Sequence, residues 1–324
     1  LKEENAFGAM LSAAWYKGRF GFDGGFSNIY GDTMRMIAEI HLTHADGSET
    51  VIPTDENWLA KPSAVLRSSI YYGEDFDARL FDPKWACADD APEGWENAVA
   101  VENDLGVLHD RYSPSVTIHE RTAPVEVIHT PKDEYVLDFG QNMTGWVEID
   151  LPAMTPGTKV TLSYSEIMQD GVFYRDNLRT AECTYSYISD GVPAHVRPHG
   201  TYYGFRYVKV EGIDPSAATF TACTIHSDLE QTGWLTTDIP ALNRLFLNAL
   251  WGQKSNFLDV PTDCPQRDER LGWTGDAQVF TKTASYNFDV ERFFTKWLHD
   301  LAADQMENGA VGHVVPDYLV GGNA

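Results

Sequence analysis

Between Asp263 and Asp276 the chain places four carboxylates (Asp263, Asp268, Glu269 and Asp276), two arginines (Arg267 and Arg270) and Trp273. The stretch reads D-V-P-T-D-C-P-Q-R-D-E-R-L-G-W-T-G-D-A-Q-V-F from Asp259 to Phe280, broken by Pro265, Gly272 and Gly275. Such punctuation disfavours helix and strand. It predicts an ordered loop on a rigid scaffold, where reactive groups gather. Paired carboxyls beside arginine and tryptophan suit cleavage of a glycosidic bond. One carboxyl protonates the leaving oxygen, a second activates water, and an aromatic wall shapes the sugar site. The same residues also fit plainer roles. A charge cluster can be a solvated loop whose exposed ion pairs contribute about 0–1 kcal/mol each. Asp276 can cap a helix beginning at Ala277, and Asp263 can close an Asx-turn after Pro261-Thr262.

The elements that must hold this loop follow from periodicity. From Leu1 to about Glu120 the pattern is β. Met34, Met36, Ala38, Ile40 and Leu42 alternate with Arg35, Ile37, Glu39 and His41. Asp46-Gly47 then signals a hairpin. Trp15-Tyr16-Lys17-Gly18-Arg19 suits packing at a sheet rim, and Asp77 is expected to pair with Arg79 across a strand edge. From about Arg121 to Asp228 a second β block follows. Val160, Leu162 and Tyr164 alternate with polar residues, as do Val208 and Val210 around Lys209. Turn signals recur at Pro156-Gly157, Asp170-Gly171, Asp190-Gly191 and Glu211-Gly212. Short strands at this spacing predict a sandwich rather than βαβ units. The stretches Phe139-Gly140-Gln141-Asn142 and Tyr203-Gly204-Phe205-Arg206-Tyr207 read as tight turns leading into buried aromatic strands.

After about Leu229 the period becomes that of a helix. Leu242, Leu245, Phe246, Ala249 and Leu250 share one face, with Asp238 as N-cap and Pro240 in the first turn. Further helices are predicted from about Ala277 to Ser285 and after Asp289. These helices are too few to close a core of their own. Phe293, Phe294, Trp297 and Leu301 are therefore expected to lie uncovered and to favour association, so a homo-oligomer is among the expectations.

At 324 residues the chain is long enough for two or three domains, each with its own core. Lys+Arg is 24 against Asp+Glu 48, a formal net charge of -24. That opposes binding to nucleic acid or an anionic membrane and fits a neutral ligand such as a glycan. Cys87, Cys183, Cys223 and Cys264 form no C-x-x-C pair, so neither a zinc ribbon nor a thioredoxin-like site is expected, and no metal site or cofactor is assigned. Four dispersed thiols point to a reducing compartment, hence the cytoplasm. No apolar run has the length of a membrane-spanning helix. The chain opens at Leu1 without Met and closes on L-V-G-G-N-A. It is therefore expected to be a piece of a longer protein, which leaves secretion open.

The run P-T-D-C-P-Q-R-D-E-R-L-G-W-T-G-D-A resembles the signature loop of the bacterial inverting α-L-rhamnosidases. Gly47, Trp58 and the run from Gly73 to Arg79 resemble that family's N-terminal accessory sandwich. The run from Leu137 to Trp146, with Gly204-Phe205-Arg206-Tyr207, resembles its second, lectin-like sandwich. The helical part resembles the opening of its (α/α)6 barrel. The resemblance implies two antiparallel β-sandwiches, residues 1–120 and 121–228, followed by an incomplete catalytic barrel over 229–324. It implies release of terminal α-L-rhamnose, with inversion, from a rhamnose-containing glycan or glycoside. It also implies Glu269, the Glu of R-x-E-R, as general acid. Asp263, Arg267 and Trp273 would line the rhamnose site, and Asp276 would be tied to the same pocket. The family's general base is a later Glu beyond this chain, so the activity belongs to the parent protein and the piece alone is expected to be inactive.

An acid protonated near neutral pH needs its pKa raised. Asp263 or Asp276 close to Glu269 would do so, whereas Arg267 or Arg270 would oppose it. Trp273 would offer an apolar wall to the C5 methyl of a 6-deoxy sugar, or simply pack under the loop. Two other readings stand beside this one. The first is a non-catalytic carbohydrate-binding pair. The second is a different (α/α)6 glycosidase or lyase, although a lyase needs a Tyr or His base that the loop does not supply.

Overall fold

The computed structural model describes residues 4–22, 24–88, 93–102 and 108–318. Leu1 and the closing run L-V-G-G-N-A lie outside the described residues. The centre of the molecule is a curled sheet of ten strands. In chain order these are β1 (Val65–Ser69), β2 (Gly73–Asp77), β3 (Val116–Thr122), β4 (Glu126–His129) and β5 (Tyr135–Leu151), then β6 (Lys159–Ser165), β7 (Thr184–Ile188), β8 (Ala194–Val196), β9 (Tyr203–Glu211) and β10 (Thr219–Ser227). They lie side by side as β1-β2-β7-β6-β9-β5-β10-β3, with β4 and β8 also pairing with β5. Only β2 and β7 run parallel. The alternation in the sequence has the expected outcome: Val160, Leu162, Tyr164, Val208 and Val210 are all buried.

The 17-residue strand β5 curls the sheet by changing partners along its length. One edge takes β9 and then β8, and the other takes β4 and then β10. Phe205 faces Met143 while Tyr207 faces Asp138, so residues 139–142 form a bulge opposite Arg206, with Phe139 buried in the core. The expected tight turn at Phe139–Asn142 is therefore a bulge inside a strand, and Tyr203–Tyr207 is strand from its first residue. Extra residues on one strand bend it. The gap is closed by Arg206, whose Nε and Nη2 each donate to Asp138 at 2.8 Å.

Near residue 120 the strand pairing continues through a one-residue register shift at His119. Strand β3 crosses that point and pairs with β10, and β2 enters the same sheet through β7. Gly73 makes the entry possible. Its φ is +99°, and a Cβ there would meet the Thr184 carbonyl oxygen at 1.8 Å. The fully buried Glu74 ties the following layer. It accepts the backbone N–H groups of His199 and Gly200 and pairs with His199 Nδ1 at 2.8 Å. Arg79 does pair with Asp77, though around a short 3-10 turn that Asp77 caps rather than across a strand edge. The first predicted strand begins only at Glu39 and forms a separate hairpin with Glu49–Pro53.

Three helices follow the sheet: α1 (Pro240–Asn256), α2 (Thr274–Asn287) and α3 (Glu291–Asp304). Neither expected cap is made. Ile239 precedes α1, Trp273 precedes α2, and neither helix start carries a side-chain cap bond. Asp276 lies in the first turn of α2 instead. The uncovered stripe is also not the expected one. Phe293 and Trp297 are buried, Phe293 stacked on Phe257 with centroids 4.5 Å apart. The chain leading into the loop supplies that partner. Leu245, Val279, Tyr286 and Leu298 are exposed in their place.

Candidate active site

The loop after Pro261 is irregular but fully anchored. Asp263 closes it at both levels: its backbone N–H donates to the Leu271 carbonyl at 3.0 Å, and its Oδ1 accepts the Leu271 N–H at 2.9 Å. It does not form a local Asx-turn. Pro265 rests on β9 at Gly204, where a Cβ would approach the proline ring to 2.7 Å. Leu271 is buried in the core of the sheet. Arg270 is completely buried and faces away from the carboxylates. Its Nη1 donates to the Ile70 and Tyr202 carbonyls at 2.6 and 2.9 Å, and its Nη2 to the Gln266 carbonyl at 2.8 Å. A guanidinium fork caged by carbonyls fastens loop to sheet, a geometry that lysine lacks.

Three expected site residues meet on the other side of the loop. Arg267 Nη2 lies 3.0 Å from Asp263 Oδ2, and its Nε donates to Glu269 Oε2 at 2.8 Å. The same Glu269 oxygen accepts a hydrogen bond from Arg179 Nη2 at 2.6 Å. Arg179 Nε stands 2.7 Å from Asp268 Oδ1, an ion pair without hydrogen-bond alignment. Asp268 Oδ2 pairs with Arg19 Nη2 at 3.2 Å and accepts the Thr180 hydroxyl. The result is a ladder of alternating charge: Arg19, Asp268, Arg179, Glu269, Arg267, Asp263. Among the described residues, Glu269 Oε1 accepts no hydrogen bond, so one carboxylate oxygen is clamped twice and the other is unbonded.

These contacts decide the titration. Burial alone would raise Glu269, but the Arg267 and Arg179 guanidiniums outweigh it and hold the carboxyl below its ordinary value. Asp263 goes the other way. Burial raises it, Glu269 adds to the rise, and the Leu271 N–H and Arg267 only partly offset this. Cys264 is pushed up to about 12 by burial and by Asp263. One ligand atom from each of Asp263, Cys264 and Glu269 lies within 4.8 Å of the others. Arg267 already bonds both carboxylates, and a cation would also have to displace the thiol proton.

The remaining expected residues stand apart from the ladder. Trp273 is half-buried and stacks on Phe22 at 6.5 Å. Asp276 is exposed and makes none of the ladder contacts. A cavity of about 840 Å³ lies elsewhere, lined by the Met10–Ala13 segment, β1 and β8, and by no residue of the loop. Sequence reasoning counted Asp268 among the loop carboxylates without giving it a role, placed Arg19 only at a sheet rim, and missed Arg179 and Thr180. Asp268 stood inside the motif, but Arg19 and Arg179 come from far up the chain and carry no local pattern.

Comparison with known proteins agrees along the whole length. The family model described as the α-L-rhamnosidase N-terminal domain matches residues 1–120. The bacterial α-L-rhamnosidase concanavalin-like domain matches 128–226, and the bacterial α-L-rhamnosidase six-hairpin glycosidase domain matches 230–324. An α-L-rhamnosidase of Alteromonas sp. (strain LOR) is 35% identical over 324 residues, covering 97% of this chain and 35% of the relative. One from Streptomyces avermitilis is 35% identical over 317 residues, covering 96% and 30%. The chain thus spans about a third of the length of the curated relatives it matches. Among solved structures, the native α-L-rhamnosidase of Aspergillus terreus superposes with a TM-score of 0.90 at 35% identity, over 94% of this chain and 36% of that one. The S. avermitilis α-L-rhamnosidase complexed with L-rhamnose gives 0.89 at 34% identity, over 94% and 30%.

Proposed function

We propose, for a chain that belongs domain by domain to the bacterial α-L-rhamnosidase family, that the whole protein releases terminal α-L-rhamnose from glycosides or oligosaccharides. We further assign it an inverting course, with Glu269 as the proton donor. The observation that carries the proposal is the clamped Glu269 carboxyl. Two guanidiniums hold Oε2 while Oε1 accepts no bond from the described residues, which suits proton delivery from one defined oxygen. The L-rhamnose bound to the S. avermitilis relative supports rhamnose as the sugar.

A donor must be protonated, and here Glu269 is held low. A second carboxylate about 6.5–9.5 Å away, the spacing an inverting site needs for its water, would raise it. Asp263 is poorly placed for that role because both its oxygens are already bonded. Asp276 is exposed outside the ladder. In line with the family resemblance, we assign the base to a residue outside 1–324 and expect residues 1–324 alone to lack hydrolysis. The division into sandwiches over 1–120 and 121–228 and an opening barrel over 229–324 belongs to the same proposal.

Proton NMR of the whole protein acting on p-nitrophenyl α-L-rhamnoside tests the reaction. The β anomer of L-rhamnose should appear first and then mutarotate. First appearance of the α anomer, or hydrolysis of other aryl glycosides in preference, would contradict the proposal.

A further inference from the structure

We propose that Arg179 is a positioning residue for this reaction, reaching from the β-sheet part of the molecule to pin one oxygen of Glu269 and so to fix which oxygen faces the sugar. The inference rests on the reading of Glu269 as proton donor. Arg179 ends the short 3-10 turn Asp176–Leu178 in a conformation unusual for a side-chain-bearing residue, with φ 57° and ψ -114°. Such strain persists where the surroundings over-determine it. Here the surroundings do so from three sides. Buried Asp268 holds the Nε edge of the guanidinium, and Asp268 is itself held by Arg19 and Thr180. The Phe22 ring lies 6.0 Å beneath the guanidinium and stacks in turn on Trp273. Glu269 takes the remaining edge at 2.6 Å.

Arg267 approaches the same Oε2 from within the loop, so the two cations act on one oxygen. Among the described residues, the charged and titratable groups around Glu269 are Arg267, Asp263 and Cys264 from the loop and Arg179 from the turn before β7, with Asp268 and Arg19 behind Arg179 and Glu166 near Arg267. The Tyr71 hydroxyl fixes the Glu269 carbonyl from below at 2.6 Å. Of the two guanidiniums, only Arg179 is contributed from outside the loop. Its loss should therefore change the carboxyl without dismantling the Arg267–Asp263 pair.

The test uses the whole protein, with pH–rate profiles of kcat and kcat/KM on a natural rhamnoside for Arg179→Gln, Arg179→Lys and Glu269→Gln. Removing a cation beside a carboxyl raises its pKa. Arg179→Gln should therefore move the limb set by the donor to higher pH by about one unit. It should also lower kcat by roughly 10–100-fold, since a misplaced reacting group can cost that much, with KM nearly unchanged. Arg179→Lys keeps the charge but loses the fork. Its limb should stay in place while kcat falls, and this variant serves if Arg179→Gln does not fold. An unmoved limb in folded Arg179→Gln, or wild-type kcat in Arg179→Lys, would overturn the inference. If the limb persists in Glu269→Gln, the donor assignment fails whatever Arg179 does. If it vanishes there but Arg179→Gln leaves it untouched, the positioning role alone fails.

Discussion

Asp268 sits between Arg19 and Arg179 with a side chain only 1% exposed. Removing its charge would leave the buried Arg19 without its carboxylate, and breaking one partner of a buried pair costs about 3–5 kcal/mol. Because Arg179 is partly exposed, the lower end of that range applies. Asp268→Asn should lower the unfolding free energy by about 3 kcal/mol, read from urea midpoints at constant m-value. A loss under about 1 kcal/mol would show that the ladder behaves like surface charge. Asp263, Arg267 and Glu269 stood in the motif that carries the family resemblance, and their mutual contacts span only two to four positions. The roles of Arg19 and Arg179 were not legible. Their bonds to Asp268 and Glu269 join residues 249 and 90 positions apart, and only the finished fold brings such residues together. Arg270 looked like a rival influence on Glu269 because spacing alone does not say which way a side chain turns.

The joint between β3 and β10 holds two stacked imidazoles, His119 and His226, with ring centroids 3.5 Å apart. His226 is buried, and that burial lowers its pKa to about 4, with His119 and Lys254 adding to the effect. Its ordinary value is 6.5, so between these two pH values the unfolded chain binds the proton more tightly. Stability from this group is complete above pH 6.5 and is lost as pH falls toward 4. The loss reaches about 3 kcal/mol. His226→Asn should flatten that part of the stability–pH curve in chemical denaturation, and a slope identical to wild type would rule the group out. The strands themselves were readable, because alternation of apolar residues reports which face is buried. The bulge of β5 was not. Phe139-Gly140-Gln141-Asn142 has turn chemistry, but backbone pairing on either side keeps it within a strand, with Arg206 bonded to Asp138 across the bulge. The helix caps failed for a related reason. Asp238 and Asp276 have capping side chains, but Pro240 and Thr274 set the starts at other positions.

Across the whole molecule, the loop is held by three regions that are distant in sequence. The early segment supplies Arg19 and Tyr71, the sheet supplies Arg179 and Gly204, and the helical part supplies Trp297, whose Nε1 donates to the Val315 carbonyl beneath Gly272. The candidate site is thus a property of all three regions rather than of the helical part alone. Periodicity located the helices within a few residues but could not choose which apolar residues would be covered, since Phe257, which stacks on Phe293, lies outside the helical pattern. Leu245, Val279, Tyr286 and Leu298 stay exposed.

The central claim is that Glu269 protonates the leaving group, and substitution read against leaving-group quality tests it most directly. In the whole protein, Glu269→Gln should cut kcat/KM on a natural rhamnoside by roughly 10²–10⁴-fold, the contribution of a positioned proton donor. On p-nitrophenyl α-L-rhamnoside, whose leaving group needs little protonation, the loss should be much smaller. An equal loss on both substrates would make Glu269 a residue that only binds sugar and contradict the account.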